Sequence, residues 1–298
     1  MLFCGNLDAM TSLALKTALI FARKSCPDLT KKIRYIIDEL DNLNINWQID
    51  RETLDTHALD IDSSQHDKPD FMICIGGDGS MLHAAQHAIS NQIPLLGINH
   101  GRIGFLTEQV GADHTKLSNI LPDDFIVEPR LILETWVKRD GHLVFQGYCL
   151  NETCLTRQPH QHVLEISLKL DQKEVCQFHG DGVIIATPTG STAYALSAGG
   201  PIISPDIQAI SIVPICPHKL SSRPIIINQS TEIELTITHF HSHNASLVFD
   251  SQPPKEFAKD EQLIIKASKK VIQLIHPNSY SHFQKLSQKL LWEQRDNA

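Results

Sequence analysis

Phe71-Met72-Ile73-Cys74-Ile75-Gly76-Gly77-Asp78-Gly79-Ser80 is the stretch on which the fold turns. Five apolar residues in a row read as a strand buried on both faces of a parallel sheet. Ser80 to Ile89 reads as a helix, so the glycines stand at a strand-to-helix junction. In an open α/β sheet, ligands bind at such junctions, beyond the carboxyl ends of the strands. Glycine lets the backbone turn tightly and approach a phosphate with no Cβ in the way. A helix that follows aims its first N–H groups at that phosphate. Asp78 does not suit a pure anion site, because a carboxylate repels phosphate. It suggests a metal contact or a base beside a hydroxyl. The alternative is an ordinary glycine turn with Asp78 as a helix cap, a position that favours Asp.

Outward from this junction the first third alternates helix and strand. Ile93 to Ile98 is a second buried strand, and Ile45 to Ile49 reads as a third. Asp8 is expected to cap a helix running to about Lys24, with Leu13, Leu15, Leu19, Ile20 and Phe21 at near-helical spacing. A second helix follows from about Pro27, with Leu29, Ile33, Ile36, Ile37 and Leu40 on one stripe. This alternation predicts a doubly wound α/β domain over residues 1–124. Near Pro122 the pattern changes. Arg130 to Lys138 puts Leu131, Leu133, Thr135 and Val137 on one face, and Asp140-Gly141 supplies a hairpin turn before Leu143 to Leu150. Further strands are expected at Glu165–Leu170, Val183–Ala186, Ala209–Val213, Ile225–Ile227, Ile233–Ile237, Leu247–Phe249, Leu263–Ile265 and Val271–Ile275. Residues 125–276 therefore read as an all-β, sandwich-like domain. Tyr280 to Trp292 reads as an amphipathic helix that returns, with 277–298, to the first domain. Ser63 to Asp70 is the most polar loop-like stretch.

Composition narrows the function. The 298 residues suffice for two cores, and no apolar run approaches the roughly 20 residues that cross a bilayer. Met1 to Met10 carries acidic Asp8 and no basic cluster, which does not read as a secretory signal. The seven scattered cysteines form no C-x-x-C pair, so buried reduced thiols in a cytoplasmic protein are expected. A net charge of -8 disfavours a nucleic-acid binder. Anionic nucleotides must then be held by glycine turns, helix N-termini, a metal ion and a few cations.

Four more pieces carry chemistry. Asn99-His100-Gly101-Arg102-Ile103-Gly104-Phe105-Leu106 follows a buried strand and can lie close to a ligand, although alone it reads as a structural turn. It is not the G-x-G-x-x-G fingerprint of dehydrogenases. Gly180-Asp181-Gly182 leads to Thr187-Pro188-Thr189-Gly190-Ser191-Thr192-Ala193-Tyr194 and then Ser197-Ala198-Gly199-Gly200-Pro201. Its hydroxyls and small residues suit a ribose and phosphates, and the bland reading is a polar crossover. Asn151-Glu152 ends a strand. Pro217-His218-Lys219-Leu220 with Arg223-Pro224 is a rigid basic loop, in which His218 reads as structural.

Together these pieces resemble the NAD kinase family. G-G-D-G, N-x-G-x-x-G-F-L, N-E, T-P-T-G-S-T-A-Y-x-L-S-A-G-G-P-I, P-H-x-L-x-x-R-P and D-S-Q occur in family order between about Phe71 and Gln252. Ile275 to Phe283, I-H-P-x-x-Y-x-x-F, is similar to the bacterial branch. Diacylglycerol, sphingosine and phosphofructo-kinases share G-G-D-G but not T-G-S-T-A-Y. The resemblance implies transfer of the γ-phosphate of ATP to the 2′-hydroxyl of the adenosine ribose of NAD, with a divalent cation, Mg²⁺, on the ATP phosphates. It implies Asp78 as catalytic base, Gly76 and Gly77 in the phosphate loop, and Gly79 and His83 on the nucleotide. Asn151 and Glu152 would hold the ribose, and Thr192, Ala193, Tyr194, Ala195, Leu196 and Ser197 would line adenine and ribose. His162 and Gln252 would be further substrate contacts. His179 and Asp181 would come from a neighbouring subunit, so a homo-oligomer, dimer or tetramer, is implied. Family members open with a strand before the first helix; here only Met1 to Gly5 precede the Asp8 helix, so either that strand is expected to be short or partly missing or the start codon is assigned late. The rival readings are a non-catalytic NAD sensor and a lipid kinase.

Overall fold

The computed structural model describes residues 15–23, 27–57, 68–101, 104–110, 116–121, 125–159, 162–239 and 245–292. The first elements are β1 (Thr17–Phe21), α1 (Pro27–Asn42), β2 (Asn46–Ile49), α2 (Arg51–His57), β3 (Phe71–Gly76), α3 (Asp78–Asn91) and β4 (Leu95–Asn99). The strands pair in parallel in the order β2-β1-β3-β4. All six residues of β3 are buried, as a strand covered on both faces requires. On one side Ile20, Ile73 and Ile75 pack with Leu29, Ile33, Ile36 and Leu40 of α1. On the other, Phe21, Met72 and Cys74 pack with Met81, Ala84, Ala85 and Ala88 of α3.

The remaining strands are β5 (Phe125–Arg139), β6 (His142–Cys149), β7 (Glu152–Thr156), β8 (Leu164–Leu170), β9 (Lys173–Gly180), β10 (Gly182–Ala186), β11 (Ala209–Ile215), β12 (Ile225–Asn228), β13 (Ile233–His239), β14 (Ala245–Phe249), β15 (Lys255–Phe257) and β16 (Glu261–Pro277). Asp140 and Gly141 take positive φ, 50° and 78°, as a tight two-residue hairpin turn needs. The second sheet has the order β12-β11-β10-β7-β14-β15. It lies against β5, β8, β9, β13 and β16 over a shared core that includes Leu155, Val183, Ile210 and Phe249 from one sheet and Leu133, Ile166, Leu235 and Leu263 from the other. The sandwich-like half is therefore present, beside an α/β half.

Three sequence expectations need correction. The helix expected to run from Asp8 to about Lys24 is not found at its described end: Thr17–Phe21 is a strand, paired with β2 and β3. Thr17-Ala18-Leu19-Ile20-Phe21 is a short apolar run with a core on both faces, and periodicity cannot separate such a run from a buried helix. The opening strand of the sheet is thus in place, five residues long, contrary to the expectation that it is short or partly missing near Met1–Gly5. Met1 to Met10 itself lies outside the described residues, as does most of Ser63–Asp70. The runs Leu263–Ile265 and Val271–Ile275 are one strand, β16, with an irregularity between Ala267 and Val271. Its far end pairs in parallel with β4 through Leu274 and Ile275, while its near end pairs with β13. The parallel sheet therefore runs without a break into the sandwich.

The tail forms α5 (His282–Leu290), with Ser281 accepting a hydrogen bond from the Gln284 amide. Lys285 donates to the Thr107 carbonyl at 3.1 Å and to Glu108 at 2.7 Å, which fixes the helix on the α/β half.

Candidate active site

The all-buried β3 carries the chain to Gly77, which caps α3 without a side-chain bond, and Asp78 is the first helical residue. Gly76 is a packing requirement: a Cβ there would lie 2.5 Å from Ser80 Oγ. Gly77 and Gly79 face open space, free for a ligand. Asp78 does not cap its own helix. Its Oδ2 accepts from the Phe105 amide at 2.9 Å and its Oδ1 from the Leu106 amide at 3.0 Å. The loop after β4 thus grips the carboxylate from one side. A Cβ on Gly104 would lie 1.9 Å from Asp78 Oδ1, so only glycine permits this approach. The G-F-L of the second motif is explained: it orients Asp78.

Asn151 and Glu152 are buried at the corner between β6 and β7. Asp250, at the end of β14, accepts from the amides of Leu150, Asn151 and Glu152 at 2.8, 2.8 and 3.0 Å. From the other side Thr187 Oγ1 donates to the Leu150 carbonyl at 2.6 Å, and the Thr187 amide to the Asn151 carbonyl at 2.9 Å. A Cβ on Gly190 would lie 2.1 Å from that same Asn151 oxygen. The N-E corner, D-S-Q and T-P-T-G-S-T are one construction. Glu152 Oε2 is buried with no hydrogen-bond partner. Burial, then the Asp250 charge, pushes the Glu152 carboxyl up to about 8, opposed by a hydrogen bond from the Tyr194 amide. Burial pushes Asp250 up to about 6 against its three amide bonds.

Thr189–Thr192 forms one 3₁₀ turn, and α4 (Tyr194–Ser197) follows it. Ala195 packs on Cys154, Ile184, Ala186 and Val213 of the second sheet, which anchors the helix. Tyr194 is exposed and shares a cleft of about 280 Å³ with Asp181, Thr156 and Arg157. Thr192 donates to the Thr189 carbonyl at 3.1 Å, while Ala193 is the N-cap of α4, and Leu196 and Ser197 complete the helix. Asp181 accepts from Arg157 Nε at 2.6 Å, and His179 lies 3.6 Å from Glu165. These two stand at the β9–β10 corner; His162 precedes β8. His83, on α3, lines a separate cleft of about 310 Å³ with Arg23, Gln86, Asp250 and Gln252. Burial, then Arg23, lowers the His83 pKa, so its ring is neutral near pH 7.

Beneath the site lies a buried ionic chain. Arg130 pairs with Glu128 and donates to Thr189 Oγ1 at 3.3 Å and to Tyr280 at 3.1 Å. His276 lies 3.3 Å from Glu128 and 2.9 Å from Glu108, which also binds Lys285. Burial alone would raise Glu128, but His276 and Arg130 outweigh it and hold Glu128 at about 2. The chain ties the T-G-S-T turn to the loop that grips Asp78. Gly104, Thr187 and Asp250 lay inside the quoted motifs and Arg130 in an expected strand, but no role was assigned to them, because each acts through backbone or a distant partner. Asp250 stood in plain view, two residues before Gln252. Five free cysteines are described; Cys74, Cys149 and Cys154 are buried as expected, but Cys176 and Cys216 are exposed.

A carboxylate presented at a strand-to-helix junction, on an α/β sheet that continues into a β-sandwich, defines the class of two-part proteins with a G-G-D-G turn. Models of the ATP-NAD kinase N-terminal and C-terminal domains match residues 23–123 and 150–277. The chain is 43% identical over 226 residues to the NAD kinase of Blochmanniella pennsylvanica, covering 76% of each. It is 35% identical to that of Laribacter hongkongensis, covering 93% of this chain and 96% of the relative. The chain belongs to the NAD kinase family. Yeast NADH kinase complexed with NADH has a similar fold, with a TM-score of 0.81 at 22% identity over 95% of this chain and 89% of that one. An NAD kinase from Archaeoglobus fulgidus in complex with ATP gives 0.65 at 22% identity, over 93% and 98%.

Proposed function

We propose that the chain transfers the γ-phosphate of ATP to the 2′-hydroxyl of the adenosine ribose of NAD, giving NADP. The observation that carries this reading is the grip of Phe105 and Leu106 on Asp78, which fixes a half-buried carboxylate between Gly77 and Gly79, both of which face open space. Asp78 accepts the proton of the 2′-hydroxyl as that oxygen attacks the γ-phosphorus in line. The bond from phosphorus to the β–γ bridging oxygen breaks, and ADP leaves with its electron pair. The transition state is loose, so alignment and charge neutralisation supply most of the rate. Glu152 Oε2, buried and unpartnered, is an acceptor suited to a ribose hydroxyl. Asn151, Thr192, Tyr194, Ser197 and Gln252 line the rest of the dinucleotide site, with Ala193 and Leu196 beside them and Ala195 as the anchor.

Mg²⁺ enters with ATP as part of the substrate. Among the described residues no group of three side-chain metal ligands gathers at Asp78. The phosphates themselves therefore supply most of its ligands. His179 and Asp181 complete a neighbour's site in a homo-oligomer, and His162 is a further substrate contact. We place the protein in the cytoplasm, in keeping with its free thiols; among the described residues no helix is long and apolar enough to cross a membrane.

Asp78→Asn tests the assignment. Asn offers one acceptor where Asp78 uses two, so one amide bond is lost, at a cost of about 1 kcal/mol. Turnover should fall by about 10²–10⁴, the range for a general base, with NAD affinity little changed by calorimetry. Turnover within a few-fold of wild type would sink the catalytic role of Asp78.

A further inference from the structure

His83 and His87 stand four residues apart on α3, so both imidazoles project from one face of the helix. Glu52 of α2 faces them, with its Oε2 3.5 Å from His83 Nε2. One donor atom from each of the three residues lies within 4.8 Å of the others. Zinc bonds of about 2.0–2.2 Å hold tetrahedral ligands roughly 3.3–3.5 Å apart. The Glu52–His83 pair is already at that spacing, and Glu52 is exposed enough to bring the set together. Phe21 underlies both imidazoles, its ring centroid 5.6 Å from His83 and 5.7 Å from His87, and it limits how they turn.

We propose that Glu52, His83 and His87 form a binding site for a divalent cation of the Zn²⁺ class, distinct from the Mg²⁺ that accompanies ATP. Two imidazoles and one carboxylate suit zinc, whereas Mg²⁺ prefers oxygen ligands and retained water. Three protein ligands leave a fourth position for water or a ligand group. Arg23 is the competitor, with Nε 3.6 Å from Glu52 Oε1 and Nη1 3.5 Å from His83 Nδ1. It touches the other oxygen of Glu52 and the other nitrogen of His83. Its side chain is half exposed, so it can swing into solvent when the metal fixes the His83 proton on Nδ1. Without a metal the same four residues are a surface ion-pair cluster centred on Arg23. Because His83 also lines the cleft shared with Gln252, bound zinc takes it from the dinucleotide. That consequence rests on the kinase reading above; the metal site does not.

The test is calorimetric titration of the full chain with Zn²⁺ and no nucleotide. Wild type, His87→Ala and Glu52→Gln are compared, with melting temperatures measured first without metal. One site per chain is expected in wild type. Each variant should weaken it by at least about 10-fold, the loss that outer-shell changes alone bring to metal sites. Arg23→Ala should tighten it by removing the rival cation. Identical titrations of wild type, His87→Ala and Glu52→Gln, in folded protein, overturn the site. NAD affinity is then measured with and without zinc. It should fall with zinc in wild type and stay constant in His87→Ala. Zinc that binds at this site yet leaves NAD affinity unchanged overturns the placement of His83 on the dinucleotide, not the metal site.

Discussion

At the scale of single residues, the site rests on three carboxyl groups in three environments. Asp78 is held by two loop amides, Asp250 by three corner amides, and Glu152 by the Tyr194 amide, with one oxygen left open. Glu152 therefore has a testable pH signature. Its folded pKa, about 8, is above the ordinary 4.5, because burial and then Asp250 disfavour the charge. The folded state thus prefers the protonated form. That contribution to stability is full below about pH 4.5 and is lost as pH rises through about 8. Glu152→Gln cannot ionise. Wild type should lose melting temperature relative to Glu152→Gln between about pH 5 and 8 in the absence of ligand. A constant gap across that range contradicts the burial argument. Glu152→Ala removes the hydrogen bond to the ribose altogether, worth roughly 0.5–1.5 kcal/mol of NAD affinity, while ATP affinity stays. Equal losses for both ligands would remove Glu152 from the ribose.

Among the elements, β16 decides how the molecule behaves. Leu274 packs with Met72, Met81 and Leu95, whereas Leu263 packs with Leu133, Leu235 and Phe249. One strand thus serves two cores, and β5 pairs along nearly its whole length. Leu274→Ala and Leu263→Ala should each cost about 2–5 kcal/mol. Both should lower one shared calorimetric transition. A two-step melt in which each variant moves a different step would show that the sheet does not couple the halves. The elements also show what the sequence could reveal. β3, α3, β4 and the Asp140-Gly141 hairpin were legible because glycines and positive-φ turns bound them sharply. β1 was not, since four apolar residues behind a threonine satisfy a helical stripe and a two-faced strand equally well. β16 read as two strands because polar Ser268, Lys269 and Lys270 interrupt it at its irregularity. Asp78 stood out as a charge at an odd place, whereas Glu152, at what reads as a solvated strand end, gained its role only through the family resemblance. Asp250 did not stand out, because its role is to bind backbone amides that adjacent residues in sequence give no sign of.

At the scale of the whole molecule, a net charge of -8 means that anionic substrates are drawn in by local devices and not by a general field. The proposed site draws on both halves: Asp78 and His83 come from the α/β part, and Glu152, Tyr194 and Gln252 from the β part. If His179 and Asp181 also complete a neighbour's site, specific activity should fall on dilution in step with dissociation seen by ultracentrifugation. A fully active monomer would remove that role. The most direct test of the kinase reading is product analysis. Purified protein is given NAD and Mg–ATP, and NADP is read with an NADP-specific dehydrogenase while ADP is quantified in parallel. The expected result is one NADP for each ADP, with the new phosphate on the 2′ oxygen. NAD bound without turnover, or ADP released without NADP, would contradict it.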